Sequence, residues 1–332
     1  MKTIKKIFAV IVCAFLALTP LSACGNNDNL KTIELNEVTH SVFYAPLYLA
    51  IENGYFEDEG LKINLTNGGG ADNSMTAVLS GTAHIGLMGP ETVIYVYNQG
   101  KADYPKVFGQ LTQKDGAFLV SRVAEPNFSW ENLRGKEILA GRKGGVPAMT
   151  FEYILNQLNL QDGVDVRLNY DVQFNLMTSA FLNGTADYCT VFEPTASEYQ
   201  AEGKWHIVAS VGAQGGDIPY TSFIALNSYI ENNQDTLKSF LKAIKKAHEF
   251  IASHSEKEVA ESIVKQFPST TITSIETSIK SYKSIDAWKL DLQATEESFT
   301  RLQDIMSNAG ELSSRVPFDK IVNNSLAKSV FG

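Results

Sequence analysis

The chain has 332 residues, 44% of them hydrophobic and 20% charged, with 37 acidic against 28 basic residues and a formal net charge of −9. An acidic chain without a clustered basic stripe does not suit a phosphate backbone, so nucleic acid is excluded as a partner, and the ordinary apolar content argues against disorder. The length suits about two domain-sized cores.

Lys2, Lys5 and Lys6 precede an apolar run from Ile7 to Leu18, the order of an export signal. The run is shorter than the roughly 20 apolar residues a bilayer span needs. It closes on Leu21-Ser22-Ala23-Cys24, which resembles the lipobox of bacterial lipoproteins and would make Cys24 the lipidated residue. The alternative is an ordinary secretory signal with an incidental cysteine. The expectation is a signal peptide over 1–23, a lipid-anchored polar tether over 24–31, and a protein held on the extracytoplasmic face of the membrane. Cys13 leaves with the signal, so Cys189 stands alone in an apolar strand. A single cysteine makes neither an intrachain disulfide nor a cysteine-based metal site, and it reads as a buried thiol.

From Thr32 onward, strand signals alternate with helices. Strands are expected at Thr32–Val38, Leu61–Thr66 and His84–Met88, with helices at Ala45–Asn53, at Ala71–Ser80 and after Pro90. The pattern restarts with strands at Lys136–Ala140, Val164–Tyr170, Asp187–Phe192 and Trp205–Val211. Helices are expected near Pro147–Asn159, Phe174–Asn183 and Pro194–Glu202. Leu79-Ser80-Gly81-Thr82-Ala83-His84 with Pro90 echoes Leu182-Asn183-Gly184-Thr185-Ala186-Asp187 with Pro194, which implies two similar lobes. Alternation of this kind builds parallel-rich sheets covered by helices. Two further strand-like runs, Gly116–Arg122 and Thr221–Asn227, are expected to cross side by side between the lobes as a hinge. The remainder is helical: Leu237, Phe240, Leu241, Ile244, Ala247, His248 and Ile251 share one face, Ser255 and Glu258 form a capping box, and these helices are expected to pack on the first lobe.

His40-Ser41-Val42-Phe43-Tyr44-Ala45-Pro46-Leu47-Tyr48-Leu49-Ala50, followed by Gly54-Tyr55-Phe56-Glu57-Asp58-Glu59-Gly60-Leu61, resembles the solute-binding proteins of nitrate, sulfonate, taurine and thiamine-precursor ABC importers. Gly68-Gly69-Gly70-Ala71-Asp72, Leu79-Ser80-Gly81-Thr82-Ala83-His84-Ile85-Gly86 and Phe192-Glu193-Pro194 match in the same order. The resemblance covers essentially all of the chain from Thr32. It implies an α/β, two-lobed periplasmic-binding-protein-like fold of type II, each lobe a sheet flanked by helices, joined by two crossover strands, with extra C-terminal helices. Lobe 1 would comprise 32–118 and 224–332, and lobe 2 would comprise 119–223.

The resemblance places ligand contacts in the loops after the strands: His40, Phe43, Tyr44, Gly70, Asp72, Asn73, Gly89, Glu91, Arg142, Gly145, Glu193 and Tyr220. Each has a plainer reading. Gly68–Gly70 can be only a turn, and Phe43 and Tyr44 can be core residues. Glu91 and Glu193 can complement helix dipoles, or accept hydrogen bonds from an amine, amidine or aminopyrimidine. Arg142 and Lys143 can pair with a sulfonate, carboxylate or phosphate, or sit in a solvated loop tip. Family members that bind sulfonate or nitrate often carry Asp-Pro or Asn-Pro where this chain has Glu193-Pro194, which favours a nitrogen-bearing ligand. The histidines form no metal pattern, and His248 reads as a satisfied core or boundary residue.

The expected function is a monomeric receptor that closes on a small molecule and delivers it to an ABC permease and its ATPase subunit. Aromatic or zwitterionic nitrogen compounds are the leading ligands, and an alkanesulfonate, taurine or nitrate-like anion is the alternative. No cofactor, metal or enzymatic activity is expected: the pyrimidine synthase of similar fold relies on a cysteine-rich segment that this chain lacks. A sensory lipoprotein that feeds no transporter is the remaining reading.

Overall fold

The computed structural model describes residues 30–332. The expected signal peptide, Cys13, Cys24 and nearly all of the 24–31 tether lie outside the described residues. The strands β1 (Lys31–Glu37), β2 (Leu61–Asn67), β3 (Ile85–Met88), β4 (Pro105–Thr112) and β10 (Thr221–Leu226) form one sheet of order β2-β1-β3-β10-β4, whose central strands β3 and β10 are buried on both faces. A second sheet combines β5 (Ala117–Ser121), β6 (Glu137–Leu139), β7 (Arg167–Asn169), β8 (Tyr188–Phe192) and β9 (His206–Ser210) in the order β7-β6-β8-β5-β9. The two orders are the same: three parallel strands, then one antiparallel strand inserted before the last. The sequence echo marks equivalent positions in them, since Gly81 precedes β3 and Gly184 precedes β8, and a proline opens the helix after each.

Register follows burial. Leu35 pairs with Ile85 and Leu87 with Phe223, all fully buried between the sheet and its helices. Each such side chain contributes about 1.5–3 kcal/mol. The long helix Gln234–Ser253 buries the apolar stripe expected of it against helix Ala45–Glu52, and the Ser255–Glu258 capping box is formed. His248 lies on that stripe, but neither ring nitrogen has a hydrogen-bond partner among the described residues. Burial lowers its pKa to about 4, so it sits in the core as neutral imidazole.

Three expectations are corrected. First, the runs at 116–122 and 221–227 do not lie side by side, because β5 belongs wholly to the second sheet and β10 wholly to the first. The paired crossing is made by the short segments that lead into them, where the amide of Ile218 donates to Gln113 O at 2.9 Å and that of Tyr220 to Thr112 O at 3.2 Å. Second, β4 has no alternation because it is buried on both faces, and the pattern gave no sign of it, whereas the strand expected at Val164–Tyr170 is shorter, pairing with β6 only over Arg167–Asn169. Third, the C-terminal helices pack mostly on the first lobe as expected, but two of them also reach the second. Helix Ile272–Ser284 packs on the Val42–Tyr44 turn and also on helix Thr195–Ala201, and helix Glu296–Asn308 packs on helix Val146–Gln157 of the second lobe.

Between those two helices the chain runs along the crossing. Gln113 N donates to Ala287 O at 2.8 Å, Lys289 N to Leu111 O at 2.9 Å, and Gln110 N to Leu292 O at 2.7 Å. Asp286 and Leu292, at φ 53° and 54°, bracket this stretch in the left-handed region that non-glycine residues rarely adopt. Tyr282 joins the parts: its hydroxyl accepts from Glu193 N at 3.0 Å and donates to Gly116 O at 3.2 Å. Tyr282→Phe leaves both buried backbone groups unpaired and is expected to cost about 1–3 kcal/mol in urea unfolding. Unchanged stability would show that these bonds do not tie the helix to the crossing.

Candidate functional site: a cleft between the sheets

The carboxyl ends of strands from both sheets face one another across a cleft lined by residues of both. Tyr44 enters it from a short helical turn capped by Ser41, whose Oγ accepts from Phe43 N at 3.2 Å. Gly70 and Asp72 come from the loop after β2 and the start of the helix that follows, Gly89 and Glu91 likewise from the loop and helix start after β3, and Arg142 and Gly145 from the loop after β6. Tyr220 lies where the chain returns to the first sheet. Eight of the twelve expected residues therefore line one cavity.

The other four do not line it. Phe43 is fully buried behind Tyr44, with its ring against Gly116, where a Cβ would come within 2.8 Å of the ring carbons. Asn73 is spent on its own loop, donating to Gly68 O at 2.8 Å. His40 Nδ1 meets Glu37 Oε1 at 2.6 Å and its Nε2 meets Gln266 O at 2.9 Å, so both ring nitrogens are engaged. Burial disfavours the charged ring, yet the bond and charge of Glu37 and the Gln266 carbonyl hold its pKa above the ordinary imidazole value. Glu193 caps the helix that follows it: its carboxylate accepts from Ser197 N at 2.9 Å, Ser197 Oγ at 2.6 Å and Ser281 Oγ at 3.2 Å. The capping reading of Glu193 is the one the geometry carries.

Pro147 and Phe192, in loops that the resemblance places at the ligand, also line the walls, and Thr39 and Phe174, outside those loops, complete them. Phe192 ends β8, one residue before Glu193, and its place at a strand terminus was the available signal. Phe174 opens a short helical turn after β7 and carried no such mark.

Glu91 is the electrostatic centre of the cavity. It is the first residue of helix Glu91–Asn98, is 2% exposed, and its Oε2 has no hydrogen-bond partner among the described residues. Gly89 makes room for it, since a Cβ there would collide with the carboxylate. Burial pushes its carboxyl up to about 7, opposed by the amides of its own helix start and of Val146 and by the Arg142 charge. Arg142 lies across the cleft, 3.8 Å from Asp72. Tyr220 and the neighbouring Asp115 are buried together at the crossing, and burial pushes the Asp115 carboxyl up to about 7, opposed by the Ala117 amide and the Tyr220 hydroxyl.

The lobes meet around the cavity. Tyr95 Oη donates to Gly144 O at 3.0 Å on one side, and Ser41 Oγ donates to Glu193 O at 2.7 Å on the other. Cys189 is fully buried in β8, and burial raises its thiol pKa well above the usual range. Among the described residues, no group of three or more His, Cys, Asp or Glu could hold a metal, and no helix is long and apolar enough to cross a membrane.

The raised Glu91 pKa has a definite sign in folding. The folded state keeps a proton that the unfolded chain releases, so stability from this group is full below the ordinary carboxylate pKa and is lost as pH rises through about 7. Glu91→Gln, isosteric with the protonated form, is expected to match the ligand-free parent near pH 4.5 and to exceed it by roughly 1–3 kcal/mol near pH 8. Urea unfolding of both proteins across that range measures the difference, and a pH-independent one contradicts the buried-carboxylate account.

A family model described as NMT1/THI5 like matches residues 42–258. The chain is 41% identical over 323 residues to YtlA of Bacillus subtilis (strain 168), whose name states a binding protein and no ligand, with 97% of this chain and 96% of that one covered. It is 24% identical over 264 residues to the formylaminopyrimidine-binding protein of Halalkalibacterium halodurans, with 77% of each covered. Of solved structures, the alkanesulfonate-binding protein SsuA from Xanthomonas axonopodis pv. citri, bound to MOPS, superimposes with a TM-score of 0.71 at 14% identity, covering 89% of this chain and 98% of that one. That likeness is one of fold. The family match runs from the turn carrying Tyr44, through both sheets, into the first C-terminal helices, and the chain belongs to the NMT1/THI5-like family.

Proposed function

We propose that this chain is the extracytoplasmic receptor of an ABC importer, anchored by lipid on Cys24, and that it closes its two lobes on a small, planar, nitrogen-bearing molecule. The observation that carries the ligand class is Glu91: a buried carboxylate oxygen without a partner among the described residues, facing a cavity walled by Tyr44, Phe174 and Phe192. Such an oxygen costs stability until a donor reaches it, and an N–H group on a flat ring satisfies it while the aromatic walls take the ring faces. Ligand and closure then support each other, because both lobes contribute to the cavity and the shut state alone presents all of its walls. The names of the two relatives, a binding protein and a formylaminopyrimidine-binding protein, support the receptor reading.

A second reading, an anionic ligand held by Arg142, is favoured by the guanidinium at the cavity wall. It is weaker on two counts: Arg142 already faces Asp72, and an anion would lie beside Glu91. On the receptor reading the protein carries out no chemistry on its cargo.

The test is a thermal-shift comparison of residues 25–332 and its Glu91→Gln variant against aminopyrimidines, alkanesulfonates, taurine and nitrate. An aminopyrimidine is expected to raise the melting temperature of the parent, with affinity at least about tenfold weaker in the variant. A rise with sulfonates alone, or equal affinity in the two proteins, contradicts the proposal.

A further inference from the structure

His40 follows β1 and stands beside the ligand cavity, not in it, yet both of its neighbours belong to the cleft. Thr39 lines the cavity wall. Ser41 caps the turn that carries Tyr44, and its Oγ makes the cross-lobe bond to Glu193 O at 2.7 Å. The His40 ring is fixed at both nitrogens: Nδ1 meets Glu37 Oε1 at 2.6 Å, and Nε2 meets the carbonyl of Gln266, in the short turn Val264–Gln266, at 2.9 Å. Tyr48 and Phe267 pack against it, with ring centroids 4.7 and 4.8 Å away.

Both partners of the ring are acceptors, and that fixes the proton count. A carbonyl oxygen offers no proton, so Nε2 carries one. A second proton lies between Nδ1 and Glu37 Oε1, and imidazole is the stronger base of the two, so the ring is an imidazolium paired with a carboxylate. Glu37 is 1% exposed, and its Oε2 accepts from Tyr48 Oη at 2.6 Å, while Tyr48 Oη accepts from Ser41 N at 3.2 Å. The same carboxylate therefore holds His40 directly and Ser41 through Tyr48. The other titratable groups around the ring are Glu52 and Lys265, reached through the Gln266 side chain, and Glu193 of the second lobe, whose carboxylate is engaged by Ser197 and Ser281. Loss of the shared proton would leave the Nδ1 lone pair against a carboxylate cut off from solvent. The two groups would part, and Thr39 and Ser41 would move with His40.

We propose that His40 is a positioning residue of the cleft: as an imidazolium bridging Glu37 and the Gln266 carbonyl it holds Thr39 and Ser41 in the shut arrangement, and the receptor loosens its grip on ligand when that proton is lost. This goes beyond the ligand class and rests on the receptor reading for its effect on affinity. The sign follows from the bonds. Burial disfavours the charged ring, but the bond and charge of Glu37 and the Gln266 carbonyl raise its pKa above the ordinary value of 6.5. The stabilisation is therefore complete below that ordinary value and is lost as pH rises through the higher folded one. Glu91 and Asp115 titrate in the same region, so substitution of His40 is what separates its effect from theirs.

The test follows residues 25–332, labelled with nitrogen-15 in the histidine rings and backbone amides, by NMR from about pH 5.5 to about pH 9.5. The His40 ring is expected to carry protons on both nitrogens at pH 7 and to titrate above the ordinary imidazole value, and the amide signals of Thr39, Ser41 and Phe43 are expected to move with the same midpoint. His40→Gln, whose carboxamide can donate but does not titrate, is expected to abolish that movement. In calorimetric titration with 4-amino-2,5-dimethylpyrimidine, affinity is expected to fall at least about fivefold more between pH 6 and pH 9 in the parent than in His40→Gln, a comparison in which Glu91, Asp115 and the pyrimidine itself titrate in both proteins. A neutral His40 ring at pH 7, loop signals that ignore its midpoint, or the same pH dependence of affinity in parent and variant overturns the inference. Should the variant fail to fold, the ring and loop titrations of the parent decide it. Failure of the parent to bind the pyrimidine at any pH overturns the ring reading of the cavity, and those two titrations still decide this inference.

Discussion

The geometry of the cleft depends on how the chain passes between its two sheets. Two short crossings, at 112–113 and 218–220, hydrogen-bond to each other, and the stretch from Ala287 to Leu292 bonds along the first of them. Everything that faces the cavity is positioned relative to this braid. Gly116 stands at its exit, where the absence of a Cβ admits the Phe43 ring, and Phe43 in turn backs Tyr44 and packs 4.8 Å from the Tyr282 ring. A side chain at 116 would push Phe43 outward and carry Tyr44 into the cavity. The left-handed backbone at Asp286 and Leu292 indicates that the bracing stretch is held in place by its surroundings and not by its own preferences.

Against this frame the cavity is underfilled in hydrogen bonds. Glu91 Oε2, buried at its wall, lacks a hydrogen-bond partner among the described residues. In a protein that works alone such groups are a standing cost, and in a receptor they are the means by which ligand binding becomes favourable. The contrast with Glu193 is instructive. The two glutamates stand at equivalent points of two similar sheets, one after and one before the proline that opens a helix. With the glutamate on opposite sides of the proline, Glu193 turns back onto Ser197 as a cap and Glu91 turns into the cleft.

Most of the architecture was legible in the sequence because the two halves repeat a strand-helix alternation punctuated by glycine and proline, and those residues act locally. The loops that line the cavity were legible for the same reason, since they follow from the strand ends. What was not legible was set by tertiary packing. β4 is buried on both faces and shows no period, and β5 and β10 join separate sheets although both look like connectors. Helix Glu296–Asn308 reaches the second lobe through contacts no local pattern announces. At the site, direction was the missing information. His40, Phe43, Asn73 and Glu193 all lie in the right loops, yet each turns to a partner in the protein, and Phe174 and Phe192 turn inward with only strand-end position to mark one of them.

The central claim is that the lobes close around a ligand held by Glu91. The most direct measurement is an interlobe distance by pulsed electron paramagnetic resonance, with spin labels on cysteines introduced at the exposed positions Ser80 and Glu202, recorded without ligand and with an aminopyrimidine in excess. The account predicts a broad or longer distribution that collapses to one shorter distance on addition of the ligand, and no such collapse in the Glu91→Gln variant. A distance unchanged by a bound ligand, or an equal collapse in the variant, would contradict it.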